Sequence, residues 1–213
     1  MTVGSCTPVP EEYLPVEAKG LVFDLDGTVL DTMRHHWDAW KQLSQEFGFS
    51  LTVEQLLGLA GKPSKEIMEL LCSEQGLTHI DIPKAVERKT ELYVELAGDT
   101  TVIPCVMAIA HAAKSKGMPI AIATGGNRAQ VEKSLRAVDM LEGFFDAIVT
   151  CNEVTQGKPH PETFLQAAEL IGIDPKDCVG YEDAPLGMQA IKAAGFLKAV
   201  DVTQMPGYPK LMP

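Results

Sequence analysis

Short apolar runs alternate with amphipathic stretches along most of the chain. Leu21–Asp24, Pro119–Ala123, Ala147–Val149, Cys178–Tyr181 and Ala199–Val202 are short, continuous and apolar, and they read as buried strands. Between them apolar positions recur at helical spacing. Val106, Ile109, Ala110 and Ala113 form one stripe, which stops at Gly117. Val131, Leu135 and Val138 form a second, with Asn127 as its candidate cap. Pro161 opens a third, with Phe164, Leu165 and Ala168 inside and Gly172 as its stop. Ile191, Ala194 and the stop at Gly195 mark a fourth. Strand and helix in alternation predict an α/β fold, a doubly wound parallel sheet with right-handed crossovers. Such sheets bind ligands outside the carboxyl ends of their strands.

Residues 33–98 break this rhythm and read as helical throughout. Met33, Trp37, Trp40 and Phe47 recur at helical spacing. Ser64 can cap a helix through Leu71, and Pro83 can open one that carries Val86, Tyr93 and Leu96 and stops at Gly98. The chain therefore divides into a flexible tail over residues 1–18, a core over 19–32 and 99–213, and a helical insert over 33–98. Inserted directly after the first strand, the helices fall over the mouth of the sheet, where a lid would sit. The plainer alternative is a helical decoration with no part in gating. The last residues, Met205–Pro213, carry three prolines and are expected to lie extended against the core or loose.

Composition narrows the function. The chain has 213 residues, 46% hydrophobic and 22% charged, enough for a full core. Its net charge is −11, and no Lys/Arg-rich run offers a stripe for nucleic acid. No apolar run approaches the roughly eighteen residues of a membrane span. The five cysteines, Cys6, Cys72, Cys105, Cys151 and Cys178, are scattered without a CxxC pair and read as reduced thiols. A monomer in the cytoplasm is expected, although a removed organellar targeting peptide would leave no trace.

The chemistry collects at strand ends. Asp24 and Asp26 follow the first strand and, if extended geometry persists, point the same way. Two acids there are too costly for packing residues unless a cation or a reaction keeps them. Thr124-Gly125-Gly126 follows the second strand, Lys158 lies beyond the third, and Glu182-Asp183 follows the fourth. Singly each is ordinary: a turn, a solvated lysine, a helix start favoured by its dipole. Together they bring four acids, a lysine, a hydroxyl and a glycine-rich turn to one rim. Clustered carboxylates repel unless a divalent cation sits among them, and hard oxygen donors suit Mg²⁺. One carboxylate is then free to attack phosphorus while a neighbouring acid protonates the leaving oxygen.

In this order the four motifs resemble those of the haloacid dehalogenase superfamily: Asp24-Leu25-Asp26-Gly27-Thr28, Thr124, Lys158 before Pro159, and Glu182-Asp183. The resemblance covers about 180 residues and implies a Rossmann-like core with a small helical cap. It implies Asp24 as nucleophile, Asp26 as general acid/base, Thr124 and the Gly125-Gly126 turn as phosphoryl binders, and Lys158 as the neutralising cation. Asp183, with Glu182 close by, would complete a Mg²⁺ site with Asp24 and the Asp26 carbonyl. The acid at Asp26 argues for phosphorus chemistry over dehalogenation.

The insert is similar to the cap of the beta-phosphoglucomutase-like and sugar-phosphatase subfamily. His36, in Asp31–Lys41, matches a histidine that bears on the acid/base aspartate; read without the resemblance, it would be a helix-surface residue. The mutase cap carries cations for a second phosphate. Here only Lys62 stands near the arginine position, without the guanidinium fork. At the lysine position after Tyr93-Val94 the chain has Glu95, whose charge would repel a phosphate. Arg128, after Gly126-Asn127, either touches substrate or lies on a helix surface. The resulting expectation is a Mg²⁺-dependent phosphatase of a small phosphorylated sugar or polyol. A hexose-phosphate mutase is the runner-up, and a catalytically silent regulatory module comes third.

Overall fold

A computed structural model describes residues 9–210. Five parallel strands form one sheet: β1 (Gly20–Phe23), β4 (Ile120–Ala123), β5 (Ala147–Val149), β6 (Cys178–Glu182) and β7 (Lys198–Asp201). Their order is β5-β4-β1-β6-β7, so the first strand is central and the chain winds outward from it both ways. Helices α5 (Pro104–Ser115) and α6 (Arg128–Ala137) follow the first half. Helices α7 (Glu162–Leu170) and α8 (Pro185–Ala193) follow the second.

Alternation along β1 explains the two layers. Leu21 and Phe23 face one apolar cluster, with Val106, Ile109 and Ala110 of α5 and Val131 and Leu135 of α6. Val22 faces the other, with Phe164 and Ala167 of α7 and Ala190 and Ile191 of α8. A strand buried on both faces has no polar side, which is why its sequence is a continuous apolar run. Phe23 stacks on Tyr181 of β6 with ring centroids 4.5 Å apart. Burying each such side chain contributes roughly 1.5–3 kcal/mol.

The insert is all helix: α1 (Met33–Phe47), α2 (Val53–Gly58), α3 (Ser64–Gln75) and α4 (Ile82–Leu96). It has its own apolar centre, built on Trp40, Leu43, Met68, Leu71, Leu92 and Tyr93. Two crossings join it to the core. They run side by side as an antiparallel ribbon, β2 (Leu30–Asp31) against β3 (Thr101–Val102).

Several expectations need correction. Residues 9–18 are not a loose tail: Leu14 and Ala18 are buried in the core, and Tyr181 Oη donates to the Tyr13 carbonyl at 2.6 Å. Ser64 does not cap α3. It is the first helical residue, and the preceding Pro63 offers no side-chain acceptor. Leu165 and Leu96 are 37% and 40% exposed, because the stripes of α7 and α4 are narrower than their apolar content suggests. Val202 lies past the end of β7, in a 3₁₀ turn. At the other end of the chain Met205 is buried and Tyr208 Oη donates to the Gly27 carbonyl at 2.7 Å, so this segment lies against the core. Cys72, Cys105, Cys151 and Cys178 are free thiols; Cys6 lies outside the described residues.

Candidate active site

All four motifs lie at carboxyl ends of the sheet. Asp24 follows β1, Thr124 follows β4, Lys158 lies in the segment between β5 and α7, and Glu182 ends β6. Lys158 is fully buried, 2.5 Å from Asp24 Oδ1 and 2.7 Å from Glu182 Oε2. Glu182 Oε1 accepts from the Ala184 amide at 3.1 Å, so both its oxygens have partners. Asp183 Oδ1 accepts from the Thr28 hydroxyl at 3.0 Å. Gly27 between these motifs has φ +87°, and a Cβ there would overlap the Asp183 carboxylate. Only glycine meets both demands.

Oxygens of Asp24, Glu182 and Asp183 approach within 4.8 Å of one another. Burial, then the Glu182 charge, pushes the Asp24 carboxyl up to about 8 against the pull of Lys158. Burial, Glu182 and Asp24 likewise raise Asp183 well above the usual carboxylate range. Burial alone would lower Lys158, but Asp24 and Glu182 prevail and hold it protonated. Three acids therefore share one lysine. That shortage of positive charge, with hard oxygen donors, suits a divalent cation such as Mg²⁺.

Asp26 belongs to a second network. The Thr32 hydroxyl donates to Asp26 Oδ1 at 2.6 Å. His36 Nε2, from α1, lies 3.1 Å from the same oxygen but off the axis of a hydrogen bond. Lys89 Nζ, from α4, is 2.9 Å from His36 Nδ1. An ammonium can only donate, so Nδ1 accepts and the ring proton sits on Nε2, facing Asp26. Burial and the Lys89 charge lower His36, which keeps the ring neutral. Burial would raise Asp26, but His36, Thr32 and Lys89 outweigh it and hold the carboxyl at about 2. Two acids on either side of Leu25 thus have opposite tendencies, a common sign of divided acid–base labour.

Between core and insert lies a cavity of about 60 Å³. Asp24, Asp26, Asp183 and Thr124 form its floor; Trp40, Leu56 and Ile67 close it from the insert. The Gly61 carbonyl comes so close to Gly125 that a Cβ there would overlap it. The insert is therefore seated on the glycine-rich turn.

Asp24, Asp26, Thr124, Gly125, Gly126, Glu182, Asp183, His36 and Lys62 all line the cavity, and Lys158 sits behind Asp24. Lys62 is ion-paired with Glu66 at 2.9 Å. Glu95 does not face the cavity, contrary to expectation. It is exposed and lies 3.6 Å from Arg88, because its position in α4 points outward. Arg128 is held on the helix surface by Glu153 at 2.8 Å. Sequence reasoning missed Lys89 and Gln130. Lys89 carried a signal: it stands on the buried stripe of α4 with Ala85, Leu92 and Tyr93, where a charge needs a reason.

A family model described as haloacid dehalogenase-like hydrolase matches residues 18–195. The chain belongs to that family. This hydrolase is 34% identical over 183 residues to the fructose-1-phosphate phosphatase YqaB of Escherichia coli, covering 86% of the chain and 95% of that protein. It is 31% identical to the beta-phosphoglucomutase of Bacillus subtilis, with 91% and 86% covered. Among solved structures, the beta-phosphoglucomutase of Clostridium difficile superposes with a TM-score of 0.76 at 25% identity, covering 85% of this chain and 83% of that one. The hydrolase thus has the α/β core and inserted helical cap of that group. Among its described residues no helix is long and apolar enough to cross a membrane.

Proposed function

We propose that the protein is a Mg²⁺-dependent phosphatase that hydrolyses a small phosphorylated sugar or polyol through an aspartyl-phosphate. The observation that carries this reading is the setting of Asp24: Lys158 holds its Oδ1 at 2.5 Å, while Oδ2 receives no hydrogen bond among the described residues. One oxygen is fixed and the other is free at the cavity floor. The phosphatase relatives in Escherichia coli and Thermotoga maritima, the latter a phosphorylated carbohydrates phosphatase, support the choice of substrate class.

Asp24 and Asp183 would hold Mg²⁺, which supplies charge neutralisation at the phosphate oxygens when bound. Asp24 Oδ2 attacks phosphorus, and the bond from phosphorus to the substrate oxygen breaks. Thr124 and Lys158 hold the transferring phosphoryl group. Glu182 orients Lys158. Substrate phosphate beside Asp26 adds negative charge and raises its proton affinity, so Asp26 enters the first step protonated and gives that proton to the leaving oxygen. It then takes a proton from the water that attacks the aspartyl-phosphate, and alcohol and inorganic phosphate leave. The cap excludes bulk water from the first step.

The mutase reading has support in the Bacillus subtilis relative. Against it stands the charge of the roof. The cap cations lining the cavity are Lys62 and Lys89; the first is paired with Glu66 and the second with His36. Both already have a partner within the cap. Measuring released phosphate and isomerised sugar together, over a panel of sugar monophosphates, separates the two. Asp24→Asn is expected to abolish turnover while leaving the thermal transition intact. Retained phosphate release in that variant would refute the nucleophile.

A further inference from the structure

We propose that Gln130 contacts the substrate, its side-chain amide Nε2 donating a hydrogen bond to a hydroxyl oxygen of the phosphorylated sugar or polyol. This deepens the phosphatase reading and rests on it. Gln130 is only 3% exposed and lines the cavity shared by Asp24, Asp26 and Asp183. It is the third residue of α6 and closes a capping box: Asn127 Oδ1 accepts from the Gln130 amide at 3.1 Å, and Gln130 Oε1 faces the Asn127 amide at 3.4 Å. A backbone N–H can only donate, so this arrangement fixes which end of the carboxamide is oxygen. Nε2 is left without a partner.

Solvent does not relieve that donor. Helix α4 covers this face of α6 on both sides of Gln130. Asn127 Nδ2 donates to Thr90 Oγ1 at 2.7 Å, and Tyr93 Oη lies 2.7 Å from Ser134 Oγ. Residues 127, 130 and 134 are spaced to share one helix face. An unpaired amide donor in such a seam is a standing cost that a ligand oxygen would remove. The donor is neutral, and the phosphate already has Lys158 and Thr124. Its partner is therefore a hydroxyl on the sugar or polyol part. A site built to bond a hydroxyl discriminates strongly against analogues without one, because its own donor is then stranded.

Two variants test this. Gln130→Glu keeps an oxygen for the capping box but exchanges the donor for an acceptor. Gln130→Met removes both functions at similar length. kcat and KM are measured with p-nitrophenyl phosphate and with a panel of hexose, pentose and glycerol monophosphates. In both variants the preference for the best sugar or polyol phosphate over p-nitrophenyl phosphate is expected to fall about tenfold, chiefly through KM. Gln130→Glu should keep the wild-type thermal midpoint. A Gln130→Met enzyme whose two substrates lose activity in equal proportion, or not at all, would overturn the assignment and leave the donor to a buried water. A wild-type enzyme that releases phosphate from none of these compounds would overturn the phosphatase reading and this inference with it.

Discussion

Lys89 Nζ stands 2.9 Å from His36 Nδ1, and the opposite face of that imidazole turns toward Asp26 at 3.1 Å. Lysine and histidine both belong to the cap, whereas Asp26 belongs to the core. The cap therefore does more than cover the cavity: its position sets the charge environment of the Asp26 carboxylate. An ammonium buried on Trp40 and Tyr93, 5.6 and 5.3 Å from their ring centroids, is kept there at the expense of its hydration.

Lys89→Met should therefore make the protein more stable and less active. Burial lowers Lys89 from 10.5 to about 8. Between those values the folded protein binds fewer protons than the unfolded chain, so wild-type stability rises with pH there. The burden is full below pH 8 and relieved by pH 10.5. At pH 7 the variant is expected to gain about 2 kcal/mol in urea unfolding, with the gap shrinking by pH 10.5. Phosphate release at pH 7 should drop at least about tenfold, because His36 Nδ1 loses the donor that keeps the ring proton on Nε2, toward Asp26. A gap that is constant with pH would contradict the assignment.

Asp183→Asn isolates the cation site without reading activity. Burial, then the charges of Glu182 and Asp24, raises the Asp183 carboxyl, so its charged form is unfavourable without a cation. Without metal the variant should melt above the wild type. Millimolar Mg²⁺ should raise the wild-type midpoint and leave that of the variant unchanged, because a ligand stabilises the state it binds. Calorimetry with and without chelator provides the check.

The seam between α4 and α6 holds the cap down. Tyr93 Oη and Ser134 Oγ form a buried hydrogen bond of 2.7 Å. Tyr93→Phe and Ser134→Ala should each cost about 1 kcal/mol or more, since each strands one polar group. The double variant should cost no more than the worse single one, a coupling that a thermodynamic cycle measures. Amide exchange in α4 and α6 should quicken in all three.

Glu66→Gln should release Lys62 from its 2.9 Å ion pair at the roof. A sugar bisphosphate, offered as an inhibitor, should then bind about fivefold more tightly, while a monophosphate changes less. Unchanged bisphosphate inhibition would mean that Lys62 does not face the bound ligand.

The convergence of the four motifs was legible because each motif is local. Each motif follows an apolar strand, and parallel strands in a doubly wound sheet deliver their carboxyl ends to one edge. Asn127 was also readable as a cap, and its side chain accepts from the Gln130 amide. What the sequence did not reveal depends on packing between distant elements. Glu95 follows Tyr93-Val94 as a cap lysine would, yet helix phase turns it to the surface beside Arg88. Ser64 has the composition of a cap but begins one residue too late. The two-residue strands at Leu30–Asp31 and Thr101–Val102 are too short for any periodicity. Gln130 gave no signal in the sequence, because its burial depends on α4 packing over this face of α6.

If the phosphoryl group passes through the Asp24 side chain, acid quenching during the first turnover in Mg²⁺ traps it there. Borohydride then reduces an acyl phosphate to the alcohol, which turns a phosphorylated aspartate into homoserine, and peptide sequencing by mass spectrometry locates it. Homoserine at position 24, absent when substrate or Mg²⁺ is withheld, is the expected result. Homoserine at Asp26 or Asp183 instead, or none while phosphate is being released, would contradict it.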